Sequence, residues 1–113
     1  MNTIKNIEEL IALADAGKNF EANMTISPDD ARAILGKFTL KQKYIFQAVV
    51  KKYTGLMRKG EWECEETSTP ICFKRGRFLY DGMQRLYAVL FYGNGVAFNV
   101  RIIEDNGREP NYD

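Results

Sequence analysis

The chain has 113 residues, 45% hydrophobic and 27% charged, with a formal net charge of +1. That length suits one domain with its own core, and near-neutrality excludes a molecule-wide attraction to nucleic acid or acidic membrane. The sequence has no histidine, which excludes histidine triads, imidazole acid–base chemistry and most transition-metal sites together.

Ile4, Ile7, Leu10, Ile11 and Ala14 recur at helical spacing and stop at Gly17, which predicts a helix over 4–16. Such a helix packs on the domain or on a second copy, so a homodimer is one expected assembly. Lys18 to Met24 reads as a connector. Ser27-Pro28-Asp29-Asp30 is a helix start: Ser27 as N-cap, Pro28 first in the helix, acids in the first turn. Ala31, Ile34 and Leu35 give its apolar face, and Gly36 is the expected stop. The next helix is predicted over about 40–59. Tyr44, Ile45, Ala48, Val49, Tyr53, Leu56 and Met57 form its inward stripe. Lys43, Gln47, Lys51, Thr54 and Arg58 form the other side, with Lys52 and Lys59 beside them. That side reads either as a phosphate-contacting face or as ordinary solvated helix surface.

Gly60 ends this helix. Glu61, Glu63 and Glu65 then alternate with Trp62 and Cys64, which predicts a strand with an acidic outer face. A polar loop follows over 66–70, then a strand at Ile71-Cys72-Phe73, a turn at Lys74-Arg75-Gly76-Arg77, and a strand at Phe78-Leu79-Tyr80. Asn94-Gly95 turns the chain into a last strand over 96–103, and residues 104–113 read as a polar tail. Cys64 and Cys72 lack zinc-type spacing and are expected as small, reduced core residues. Met1 to Leu13 lacks the pattern of a signal peptide, and no apolar run is long enough to span a bilayer. The expectation is a cytoplasmic protein with no membrane partner.

The centre of the chain is the stretch from Phe78 to Leu86, where a strand stops at Asp81-Gly82 and becomes a helix ending at Gly93. Such a junction aims free backbone N–H groups at one spot, a place for an anion. Arg85 falls in the first turn and is expected to be exposed there, opposing the helix dipole unless an anion offsets it. A second reading needs no ligand: Asp81 caps the helix, or pairs with Arg85 four residues on.

Asp81-Gly82-Met83-Gln84-Arg85-Leu86 resembles the Asp-Gly-Gln-His-Arg-Leu signature of small ParB-like proteins of phages and mobile elements. Tyr53, Met57, Gly60 and Trp62 are similar to that family's Tyr…Met…Gly…Trp run. Ile71-Cys72-Phe73 with Gly76-Arg77-Phe78-Leu79 resembles its strand, glycine turn and strand, and Ile26-Ser27-Pro28 with Ala31 and Leu35 its opening helix. The resemblance implies an α/β (α+β) fold of the ParB/sulfiredoxin-like kind, a small mixed sheet packed by helices. On this division residues 1–24 are a helix and connector, 25–103 the domain and 104–113 the tail. It also implies nucleotide or DNA binding, with Asp81, Gly82, Gln84 and Arg85 holding phosphate and Lys74, Arg75 and Arg77 nearby.

Gln84 stands where the signature has histidine and Met83 where it has glutamine. No cysteine lies in 81–86 to match sulfiredoxin's catalytic one. Glutamine still donates and accepts hydrogen bonds but neither ionises nor acts as a base, so binding survives these changes better than catalysis. The expectation is a non-enzymatic phage- or plasmid-type protein that binds a nucleotide or DNA, with no metal and no cofactor other than a nucleotide. One alternative is a factor that binds a host protein, such as part of a defence system. Another is a magnesium-dependent ParB-like nuclease using Asp81 with Glu61, Glu63, Glu65 or Glu66.

Overall fold

Phe20, Ala22, Met24 and Ile26 alternate with polar residues, so a strand here turns Ala22, Met24 and Ile26 into the core and leaves Glu21 and Thr25 in solvent. The computed structural model, which describes residues 2–16, 18–40, 44–62 and 69–103, makes this strand part of a six-stranded mixed sheet. In chain order the elements are β1 (Thr3–Ile4), α1 (Ile7–Ala16), β2 (Phe20–Ile26), α2 (Pro28–Lys37), β3 (Thr39–Leu40), α3 (Gln47–Arg58), β4 (Ile71–Lys74), β5 (Phe78–Asp81), α4 (Met83–Tyr92) and β6 (Val96–Ile103). The sheet order is β1-β2-β6-β4-β5-β3. β1 runs parallel to β2, β4 to β6 and β3 to β5, while β2–β6 and β4–β5 are antiparallel. The fold is mixed α/β, as expected.

The crossovers β1-α1-β2 and β2-α2-β3 both step toward the β3 edge, so the right-handed rule puts α1 and α2 on one face. There α2 packs on α4 and α4 on α3. The core between helices and sheet is dominated by fully buried Leu10, Met24, Ile34, Phe73, Leu86, Phe98 and Ile102. Phe38 and Phe73 meet with ring centroids 5.0 Å apart, a tilted pairing of the favoured kind. Opposite this core, Glu21 and Arg101 pair across the β2–β6 ladder at 2.6 Å.

Several boundaries differ from those read in the sequence. The first helix starts at Ile7 rather than residue 4, because Thr3–Ile4 is needed to pair with Asn23–Met24. The connector at 18–24 is largely β2, and the division after residue 24 falls inside that strand. α2 starts as expected, with a capping box in which Ser27 Oγ accepts from the Asp30 amide and Asp30 Oδ2 from the Ser27 amide. It runs through Gly36 to Lys37.

The helix expected over 40–59 begins only at Gln47; Leu40 belongs to β3, and Tyr44 to Phe46 are irregular. Three consecutive aromatic and β-branched side chains are poor helix starters, and Phe46 at the N-cap makes no side-chain cap hydrogen bond to the helix. Tyr44, Ile45 and Ala48 are therefore exposed rather than inward. Thr54, expected outward, is buried with its hydroxyl donating to Val50 O at 2.8 Å. Glu61 and Trp62 form no strand. Trp62 packs edge-on against Tyr53 and Phe98, and Met57 is buried, so the Tyr…Met…Gly…Trp run folds the chain back from α3 onto the sheet. Lys74 ends β4 and is buried rather than opening the turn. The proposed strand positions Glu63, Cys64 and Glu65, together with Glu66, Lys43 and the tail, lie outside the described residues.

Candidate functional site

The strand–helix junction forms where expected, but from the inside. Gly82 has φ 119°, and a Cβ there would lie 2.6 Å from Ile71 Cδ1, so only glycine fits. Gly82, not Asp81, is the N-cap of α4, and Asp81 closes β5. Arg85 is 2% exposed. Its guanidinium donates to the carbonyls of Thr69 and Pro70 and to Asp81 Oδ1 at 3.4 Å. This overturns the expected exposure: a buried carboxylate four residues earlier offsets the charge, and two carbonyls leading into β4 accept hydrogen bonds from the guanidinium. The arginine ties α4 to the start of β4.

Gln84 is fully buried and also serves the backbone. Its Nε2 donates to Tyr44 O at 3.0 Å, and its Oε1 accepts from the Phe46 amide at 3.1 Å. The residue in the histidine position of the ParB-like signature thus clamps the segment before α3. The other three predicted residues lie around the β4–β5 turn. Lys74 Nζ sits 4.1 Å from the centroid of the Tyr80 ring. Arg75 is exposed and its amide donates to Ile103 O. Arg77 forms a two-pronged pair with Asp15 on α1, both contacts at 2.9 Å. That hydrogen-bonded pairing lowers the Asp15 pKa and raises that of Arg77. Asp81, Gly82, Gln84 and Arg85 thus share one buried junction, whereas Lys74, Arg75 and Arg77 point to separate tasks. Burial, with help from the Asp81 charge, pushes the Cys72 thiol up to about 11. Among the described residues no cluster of three or more cysteine, aspartate and glutamate side chains is placed to hold a metal.

A different surface is open. The exposed large hydrophobic side chains among the described residues are Tyr44, Ile45, Phe46 and Phe91, with Tyr44 74% and Phe91 64% exposed. Ile45 and Phe91 stand at a cleft of about 640 Å³ between α3 and α4. Val50, Thr54, Gly55 and Tyr87 also line it, and Lys51 and Arg58 add charge. Gly55 opens the space, since a Cβ built there meets nothing within 4 Å. Neither α3 nor α4 contains an aspartate or glutamate.

Gln47, Lys51 and Arg58, expected on the side of α3 away from its apolar stripe, line the cleft. The opposite wall, Tyr87 and Phe91 of α4, was not expected from the sequence. The available signals were Phe91, apolar at the very end of its helix, and Gly55, a poor helix former in the middle of one. No family model, curated protein or solved structure matches the chain.

Proposed function

We propose that this chain is a non-enzymatic binding protein whose partner is another protein, held on the face formed by residues 44–46, α3 and α4. The observation that carries this reading is that two of the exposed large hydrophobic side chains among the described residues, Ile45 and Phe91, line one cleft, and the other two, Tyr44 and Phe46, flank Ile45 in the chain. Rimmed apolar patches of this kind mark interaction sites. Gln84 supports it: a fully buried amide holds the backbone from which Tyr44, Ile45 and Phe46 project, and a surface fixed in advance binds with less ordering cost. The ParB-like resemblance then describes the scaffold, with the signature residues Asp81, Gly82, Gln84 and Arg85 building the junction that supports the face.

One observation favours a second reading, in which a single-stranded nucleic acid is the partner. Lys51 and Arg58 line the same cleft as the exposed ring of Phe91, the combination used by stacking platforms with a basic track.

Site-specific photocrosslinking in the cell tests both. A benzophenone amino acid replaces Phe91 in one protein and Thr25, exposed on the opposite sheet face, in another. A nuclease-resistant adduct of defined mass at position 91 and not at 25 is expected. A nuclease-sensitive adduct would move the assignment to nucleic acid, and no adduct at 91 would sink both.

A further inference from the structure

Building on the protein-binding reading above, we propose that the occupant of the α3–α4 cleft is an acidic, amphipathic helical segment of the partner protein. Three observations identify it. The first is shape. α3 runs for 12 residues, about 18 Å or three turns, and a cleft along it suits apolar anchors at i, i+3 or i+4, and i+7 of a partner helix. Gly55 lets such an anchor approach the α3 backbone, because its missing side chain leaves open space.

The second is charge. The cleft carries Lys51 and Arg58, and the two helices that wall it hold no carboxylate. Acids flanking the partner's anchors complete the match, which steers encounter and rejects basic segments. The same charges argue against a second copy in this position. A two-fold interface sets the same patch against itself, which would bring two Lys51–Arg58 pairs into one interface with no carboxylate from α3 or α4 between them.

The third is chemistry. Ile45 and Val50 are aliphatic, and Gly55 presents bare backbone. With Tyr87 and Phe91 on the facing wall, these surfaces accept leucine or phenylalanine side chains, and an oligonucleotide probe tests whether the two rings stack bases instead.

Fluorescence anisotropy with labelled 15-residue peptides reads this directly. One peptide carries Leu and Phe at helical spacing with Asp and Glu elsewhere, a second replaces every acid with Lys, and the third probe is a 15-nucleotide oligothymidylate. The acidic peptide is expected to bind at least tenfold more tightly than either of the others. Gly55→Phe, which fills the cleft, should weaken it tenfold or more. Lys51→Glu with Arg58→Glu should reverse the preference toward the lysine peptide, and serves as the independent check should Gly55→Phe disturb α3. Equal binding of the two peptides, or acidic-peptide binding that survives both variants, overturns the proposal. Preferential binding of the oligothymidylate overturns it in favour of nucleic acid, and concentration-dependent dimerisation abolished by Gly55→Phe overturns it in favour of a second copy. Failure here with a protein adduct at position 91 in the crosslinking experiment rejects only the acidic helix. Failure of both rejects the protein-binding reading itself.

Discussion

Arg85 shows how one side chain changes meaning with its surroundings. Exposed at a helix start, it would be a ligand group; buried, it is half of an ion pair with Asp81 at 3.4 Å and a donor to two carbonyls. Removing one member of a buried pair strands the other, which typically costs about 3–5 kcal/mol. Arg85→Ala should therefore lower the melting temperature by roughly 10 °C or more, given about 4 °C per kcal/mol at this chain length. Thermal unfolding by circular dichroism checks it; an unchanged melting temperature would return Arg85 to the list of ligand groups. Cys72 makes a second residue-scale case. Its thiol is buried and pushed up to about 11 from 9.0, so the folded state keeps its proton where the unfolded chain loses it. The resulting stability is full below pH 9 and declines as pH rises toward 11. In native protein at pH 8, iodoacetamide should leave the Cys72 peptide unmodified by mass spectrometry until denaturant is added.

At the scale of elements, what could be read in the sequence followed local chemistry. The α2 start was legible because Ser27, Pro28 and Asp30 specify it by hydrogen bonds within one turn. β4, β5, α4 and β6 were legible because glycine turns at 76, 82, 93 and 95 separate short apolar runs. β2 was not, although Phe20, Ala22, Met24 and Ile26 alternate, because its pairing partner β6 lies some 70 residues away and Asn and Lys before it suggest a loop. The late start of α3 was hidden for a related reason: the acceptor for the Phe46 amide is Gln84, 38 positions on. The site divided the same way. The junction residues were found as a motif, but their burial depends on Thr69, Pro70 and Ile71, which only the folded sheet brings over them. Gly55 permits a direct test at this scale. A mid-helix glycine costs about 0.5–1 kcal/mol relative to alanine, and a Cβ there meets no atom. Gly55→Ala should raise the melting temperature by roughly 2–4 °C, and a fall would mean the cleft is closed in solution.

For the whole molecule, the placement of aromatic rings separates what folds the chain from what it presents. Phe73 is fully buried against Phe38, and Phe98 carries Trp62 on the inner face of β6. Tyr44, Phe46 and Phe91 stand outside that core in solvent. If the exposed group served stability, it would behave like the core when truncated; if it serves a partner, the fold should be indifferent to it. Phe73→Ala should cost about 3–5 kcal/mol, because it removes a large, fully buried side chain and leaves a cavity beside Phe38. Phe91→Ser should change stability by less than about 0.5 kcal/mol, as surface substitutions do. With a net charge of +1, the molecule has little overall repulsion to keep exposed apolar patches apart. Phe91→Ser should therefore also reduce binding of a hydrophobic dye and concentration-dependent light scattering near neutral pH. Urea unfolding of the two variants beside the parent, with dye fluorescence on the same samples, distinguishes the roles. A Phe91→Ser protein as destabilised as Phe73→Ala would place Phe91 in the core and remove the outer wall of the proposed cleft.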